Sequence, residues 1–127
     1  MKQIICMLFA SIAMTPVFAQ LTNTKWEGTI NGDNPRKVTL NFKKDTMVVY
    51  SVLEHEMVET MTYTNTAKSF TLLKLFGQSD CDKTNPGKYD FQIKGNKMTI
   101  KLNSDQCSDR STAIDATEWK RVKTAKK

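Results

Sequence analysis

Histidine is nearly missing from this chain of 127 residues: His55 is the only one. No Cys-x-x-Cys pair, His-Glu-x-x-His run, phosphate-binding glycine loop or nucleophile elbow occurs either, which removes the common zinc, redox, nucleotide and serine-hydrolase chemistries. No apolar run reaches the roughly 20 residues that a membrane-spanning helix needs. Internal linkers and low-complexity stretches are absent too, so nothing divides the chain into two domains. The formal charge of +6 is spread along the sequence. Basic and aromatic residues do not interleave on one surface, and nucleic acid is not an expected partner.

The longest apolar stretch, Ile4 to Met14, follows Lys2 and precedes Pro16 and the small-residue site Val17-Phe18-Ala19. That pattern predicts a secretion signal over residues 1–19, cleaved before Gln20. Cys6 precedes most of the apolar stretch, whereas a lipid-bearing cysteine follows it, so the mature product is expected without a membrane anchor. A domain over residues 20–123 and a basic tail over 124–127 complete the organisation. The product is expected in a periplasm or the extracellular medium. No Asn-x-Ser/Thr acceptor follows the signal, which favours a bacterial source.

Outside the signal two cysteines remain, Cys81 and Cys107. An oxidising compartment favours joining them, and two cysteines allow one pairing. The loop entropy removed from the unfolded chain is worth roughly 3 to 4 kcal/mol.

Apolar and polar residues alternate at period two over eight segments: residues 25–30, 37–42, 46–52, 57–64, 68–75, 88–93, 97–102 and 117–122. Turn formers separate them, notably Asn31-Gly32-Asp33-Asn34-Pro35, Lys43-Lys44-Asp45, Asn65-Thr66-Ala67 and Gly95-Asn96. A two-residue turn at Gly95-Asn96 pairs Ile93 with Met98, Phe91 with Ile100 and Tyr89 with Leu102 on one apolar face. Gln92 then faces Thr99, and Asp90 faces Lys101, on a polar one. The turn at Lys44-Asp45 sets Phe42 opposite Met47, Leu40 opposite Val49 and Val38 near Ser51. Val48, Tyr50 and Val52 make the other face less clean. Around Asn65, Met61, Tyr63, Phe70 and Leu72 share a face that excludes Val58, Leu73 and Leu75, so either a bulge switches parity or an outer patch is covered.

Eight short antiparallel strands leave two edges to hide, and closing them into an up-and-down barrel hides both. An all-β eight-stranded barrel is the predicted fold, with an open sandwich as the alternative. Residues 103–116 break the period-two rhythm and predict one short helix before the last strand, capped by Ser104 or Asp105 and running through Cys107 to Ile114. Ala113 and Ile114 would plug one barrel end. A disulfide would tie this helix to the long loop from Gly77 to Gly87.

Leu21-Thr22-Asn23-Thr24-Lys25-Trp26-Glu27-Gly28-Thr29 resembles the first strand of lipocalin-like (calycin) barrels, where a tryptophan lies near the barrel floor. The resemblance implies that a basic residue of the last strand crosses that indole, and Trp119-Lys120-Arg121 supplies Arg121. The family's glycine two residues before the tryptophan is Thr24 here. With only Trp26 and Trp119, the chain lacks the several tryptophans around an avidin-type biotin site.

The resemblance also implies capture of a small apolar or amphipathic molecule inside the barrel. Tyr63 and Tyr89 would orient it, and Met47, Met61, Phe70, Phe91 and Met98 would contact it. Methionines suit a filled core equally, so the sequence leaves open whether the lumen is empty. Glu54-His55-Glu56 with Glu59 reads as a solvated connection, because neighbours on a strand point to opposite faces. Neither catalysis, cofactor nor metal is expected. The alternative to ligand capture is a protein partner or inhibited enzyme gripped by the constrained loop Gln78 to Gly87, with a filled barrel.

Overall fold

A computed structural model describes residues 21–123. The predicted signal, residues 1–19, and the basic tail, residues 124–127, lie outside the described residues. Eight strands follow in chain order: β1 (Thr24–Ile30), β2 (Arg36–Phe42), β3 (Thr46–Ser51), β4 (Met57–Asn65), β5 (Ser69–Gly77), β6 (Gly87–Lys94), β7 (Lys97–Asp105) and, after helix α1 (Ser108–Ile114), β8 (Thr117–Arg121). Each strand pairs antiparallel with the next, and β8 returns to β1, closing an up-and-down barrel. The sandwich alternative is thereby overturned: Gly28 pairs with Trp119 and Trp26 with Arg121 across the seam.

The hairpin registers follow from their turns. Ile93 faces Met98, Phe91 faces Ile100 and Tyr89 faces Leu102 around Gly95, whose φ of 61° only glycine adopts cheaply. Phe42 faces Met47 and Leu40 faces Val49, again as the alternation requires. One correction concerns Leu102, which is 37% exposed despite its apolar partner. It lies where the register of β6 and β7 slips between Lys88 and Tyr89.

Two further slips answer the parity question raised by β4 and β5. Val49 pairs with Glu59 and Tyr50 with Met57, leaving Val58 as the extra residue; Met61 pairs with Lys74 and Thr60 with Phe76, leaving Leu75 extra. A bulge puts two residues opposite one and reverses which face follows. Val58 therefore joins the core, whereas Leu75 and Phe76 stay on the outside at 36% and 54% exposure.

The barrel interior is a layered apolar core from Leu21 at one end to Ile114 at the other. At the first end Phe42 meets Tyr63 edge-on at 5.1 Å between centroids, and the Tyr63 hydroxyl donates to the Lys43 carbonyl. The opposite end is covered by α1, whose Arg110 and Ile114 share its inner face four residues apart. Cys107, rather than Ser104 or Asp105, occupies the position before the helix, because β7 runs on through Asp105. Asp105 still accepts a hydrogen bond from the Cys107 amide at 2.8 Å.

Several tethers hold α1 in place. The Cys81–Cys107 disulfide joins its start to the β5–β6 loop. Asn31 donates its amide to the Ala113 carbonyl at 3.0 Å, and the Leu102 amide donates to the Asp115 carboxylate at 2.8 Å.

Candidate functional site

The seam of the barrel is built by one local device used twice. In Leu21-Thr22-Asn23-Thr24-Lys25-Trp26, the Thr24 hydroxyl donates to the Leu21 carbonyl and accepts from the Trp26 indole N–H at 2.9 Å. In Ile114-Asp115-Ala116-Thr117-Glu118-Trp119, Thr117 donates to the Ile114 carbonyl at 2.5 Å and accepts from Trp119 at 2.7 Å. Asn23 and Ala116, preceding the two threonines, both turn the chain with positive φ, 63° and 56°. Each indole thus enters the core with its N–H satisfied, and each apolar residue three positions before the threonine plugs one barrel end. The spacing apolar-x-x-Thr-x-Trp was the sequence signal for this symmetry.

Trp26 is fully buried and Trp119 is 2% exposed. The Arg121 guanidinium lies 5.8 Å from the Trp26 ring centroid. Trp119 lies against Gly28, where an added Cβ would come within 2.6 Å of the indole. The Gly in Trp26-Glu27-Gly28-Thr29 is therefore there because the second tryptophan fills its side-chain space.

Met47, Tyr63, Phe70, Tyr89, Phe91 and Met98 pack together as solid core, with Phe70 5.8 Å from Tyr89 and 5.7 Å from Phe91. None of these six lines the cavity described next. Of the seven residues that the sequence assigned to a ligand, Met61 alone does so.

The cavity lies at the α1 end, between the β1–β2 loop and the helix, with a volume of about 870 Å³. Its apolar wall is Leu40, Val49, Val58, Met61, Ala113 and Ile114. Polar side chains reach the same space from three elements: Glu59 from β4, Ser79 from the β5–β6 loop and Arg110 from α1. Glu59 shares the inward parity of Met61 and Tyr63 and is 6% exposed, which corrects its assignment to the solvated Glu54-His55-Glu56 turn. Those three remain exposed, with His55 at a φ of 56°. A hydrogen bond and charge repulsion from Glu54 raise the pKa of Glu56.

Asp105 turns inward after the slip in β7 and takes two bonds from Arg110, at 2.6 Å to Nε and 2.8 Å to Nη2. Tyr89 donates its hydroxyl to the same carboxylate. Arg110 also donates to the Asn85 carbonyl at 2.8 Å, fixing the β5–β6 loop. Burial pushes the Asp105 carboxyl up, but the bonds from Arg110, Tyr89 and the Cys107 amide outweigh it and hold the group below its ordinary value. Burial works against the Arg110 charge as well, and Asp105 more than offsets it, raising that pKa. Burial, then the neighbouring Asp105 carboxylate, push the Tyr89 phenol well up.

On the other wall, Ser79 donates to Glu59 Oε2 and Lys74 Nζ lies 3.9 Å from Oε1. Gly77, paired with Glu59, leaves room for that carboxylate, since a Cβ there would collide with Oε1. Two buried atoms keep no hydrogen-bond partner: Glu59 Oε1 and Arg110 Nη1. Both residues line the cavity, while these two atoms themselves are sealed off from it.

Among the described residues, no group of three His, Cys, Asp or Glu side chains converges as a metal site needs, and no helix is long and apolar enough to cross a membrane. Comparison with protein families, curated proteins and solved structures gives no match for this chain.

Proposed function

We propose that the protein is an exported, non-enzymatic barrel of lipocalin type that captures a small amphipathic molecule at its α1 end. The observation that carries this reading is the open-mouthed cavity of about 870 Å³, in which an apolar floor of Leu40, Val49, Val58, Met61 and Ile114 lies beneath a polar rim from the β1–β2 loop, Gln78 and α1. That combination is what small-molecule sites use: apolar area for affinity and sparse polar groups for orientation. The disulfide supports an oxidising compartment. The packed aromatic layer beneath the cavity supplies a rigid base rather than a contact surface.

Native mass spectrometry of the protein purified from its own compartment tests capture directly. A retained organic molecule is the expected result, released in an Ala113→Trp variant that fills the cavity from the helix. Protein that carries nothing, together with no gain in thermal stability from any amphiphile, would falsify the reading.

A second reading, recognition of a protein, rests on the β5–β6 loop. Its tip, Asp82 to Thr84, is exposed, while Cys81 and the Asn85 carbonyl are pinned to α1 and its start. A loop pinned at both ends loses little entropy on binding. Partner affinity that disappears on reduction, with ligand binding absent, would favour it.

A further inference from the structure

Positive charge is spread along the sequence, but the fold gathers it at one end of the barrel. The end plugged by Leu21 is made of three hairpin turns and the place where β8 returns beside β1. Lys43 and Lys44 stand in the β2–β3 turn, Lys68 in the β4–β5 turn, and Lys94 and Lys97 flank the β6–β7 turn. Lys120, Arg121 and Lys123 follow at the end of β8. All of these are exposed, and Asp45 is the one acidic residue in the three turns. The opposite end, with the cavity, carries the exposed acids Asp33, Glu54, Glu56, Asp80, Asp82 and Asp109 against Arg36 and Lys83. The barrel is thus positive at its closed end and negative around its mouth.

The cations of the closed end have no counter-charge of their own. Lys97 pairs across β6–β7 with Lys94 and across β7–β8 with Lys120. All three point outward, because Ile93, Met98 and Trp119 beside them point in. Like charges directly opposite on a sheet repel and destabilise it. Glu27 pairs with Lys120 across the seam, yet its carboxylate binds Lys37 at 2.8 Å. Among the described residues no ion pair includes any cation of this end. An external anion brought to such a row relieves the repulsion.

Shape decides which anion fits. The cations recur at β2–β3, β4–β5, β6–β7 and the β8–β1 seam, so they ring the circumference rather than follow one line. A planar anionic surface meets the whole ring at once, whereas a linear polyanion touches only the cations along one chord. The exposed large hydrophobics Tyr50, Leu53, Leu75, Phe76 and Leu102 lie towards the opposite end, so the ring holds no apolar wedge to insert. We infer that the closed end docks on an anionic phospholipid surface, lying on it through contacts between lysine and phosphate without entering the hydrocarbon. The cavity mouth then faces away from the lipid, open to dissolved molecules. This inference goes beyond the capture reading and stands whether or not the cavity holds a ligand.

The experiment is co-sedimentation of protein produced from the full-length chain with vesicles of phosphatidylcholine, alone or mixed in equal parts with phosphatidylglycerol. Binding is expected to the mixed vesicles only, and it is expected to vanish between about 0.1 M and about 1 M salt, as the screening length falls from about 10 Å to about 3 Å. Each lysine near such a surface is worth roughly fivefold in partitioning, so Lys94→Gln, Lys97→Gln and Lys120→Gln combined are expected to weaken binding on the order of 100-fold. The control, Lys83→Gln, Lys88→Gln and Lys101→Gln combined, removes the same net charge from the rest of the barrel and is expected to change binding less than about threefold. Should the first variant fail to show cooperative thermal unfolding, Lys43→Gln with Lys44→Gln takes its place, with a loss of roughly 30-fold expected. Equal losses in variant and control mean that net charge alone acts, and they overturn the docking face. Binding to the neutral vesicles, or binding that survives high salt, overturns the electrostatic contact. No binding to the mixed vesicles, or tighter binding to single-stranded DNA at equal phosphate concentration, overturns the lipid assignment.

Discussion

Thr24 and Thr117 each serve a tryptophan that has no other partner for its indole N–H in the core. Replacing either by valine keeps the volume and removes the acceptor. Thr24→Val and Thr117→Val are each expected to cost about 1 to 3 kcal/mol in denaturant unfolding, since a buried donor is then left unpaired. Gly28→Ala acts through space rather than bonding. The new methyl meets the Trp119 ring and the Glu118 carbonyl, at 2.6 and 2.7 Å. Overpacking of this kind costs about 1 to 3 kcal/mol. The same unfolding curves, with Trp fluorescence as the probe, measure it. Ala116 carries a conformation that glycine adopts without penalty. Ala116→Gly is expected to be neutral or to stabilise by a few tenths of a kcal/mol, because relief of the left-handed strain is set against greater freedom in the unfolded chain.

At the scale of elements, α1 is too short to be stable alone and is held by what it touches. The disulfide at its start closes a sequence separation of 26 residues. Reduction, or a Cys81→Ser and Cys107→Ser pair, is expected to lower unfolding stability by roughly 3 to 4 kcal/mol in the chain-entropy picture. The barrel strands keep their pairing in β1 to β4, which hydrogen exchange checks residue by residue. The strands also show where period-two counting succeeds and where it stops. From Gly95 outward it places Ile93, Phe91, Met98 and Ile100 correctly, because a tight turn fixes register. Beyond Val58, Leu75 and Asn103 it fails, since a bulge reverses parity without any mark in composition. Glu59 and Lys74 needed no bulge: Glu59 shares the inward parity of Met61 and Tyr63, and Lys74 that of Phe70 and Leu72, and only their charge makes them read as solvated.

For the whole molecule, the inward polar cluster sets the pH range of stability. The Asp105 carboxyl is lowered in the fold, so its contribution is complete above its ordinary value of 3.8 and is lost as pH falls through the lowered one. The Tyr89 phenol is raised, so its contribution is complete below 10.0 and is lost as pH climbs past that. Thermal unfolding is expected to be flat between those limits on account of these two groups and to weaken outside them. Asp105→Asn is expected to remove the Asp105 share of the acid limb and to lower stability near neutrality, because Arg110 then sits buried without its counter-charge.

Alternation, turn residues and the cysteine pair by themselves determined eight antiparallel strands, the late helix and its one covalent tether, since each is a local pattern or a matter of counting. Only the tertiary structure decided that the lumen is solid beneath Met61 and hollow beneath α1. That outcome depends on three slips in register and on which side chains meet across the barrel, and neither quantity is local in sequence. The aromatic residues and every predicted ligand methionine but Met61 are spent on the core, and the cavity is left to Met61, the aliphatic wall, Glu59, Arg110 and the polar β1–β2 loop. Closing a sheet on itself makes distant residues neighbours, and the energetics of those encounters fix where the empty space remains.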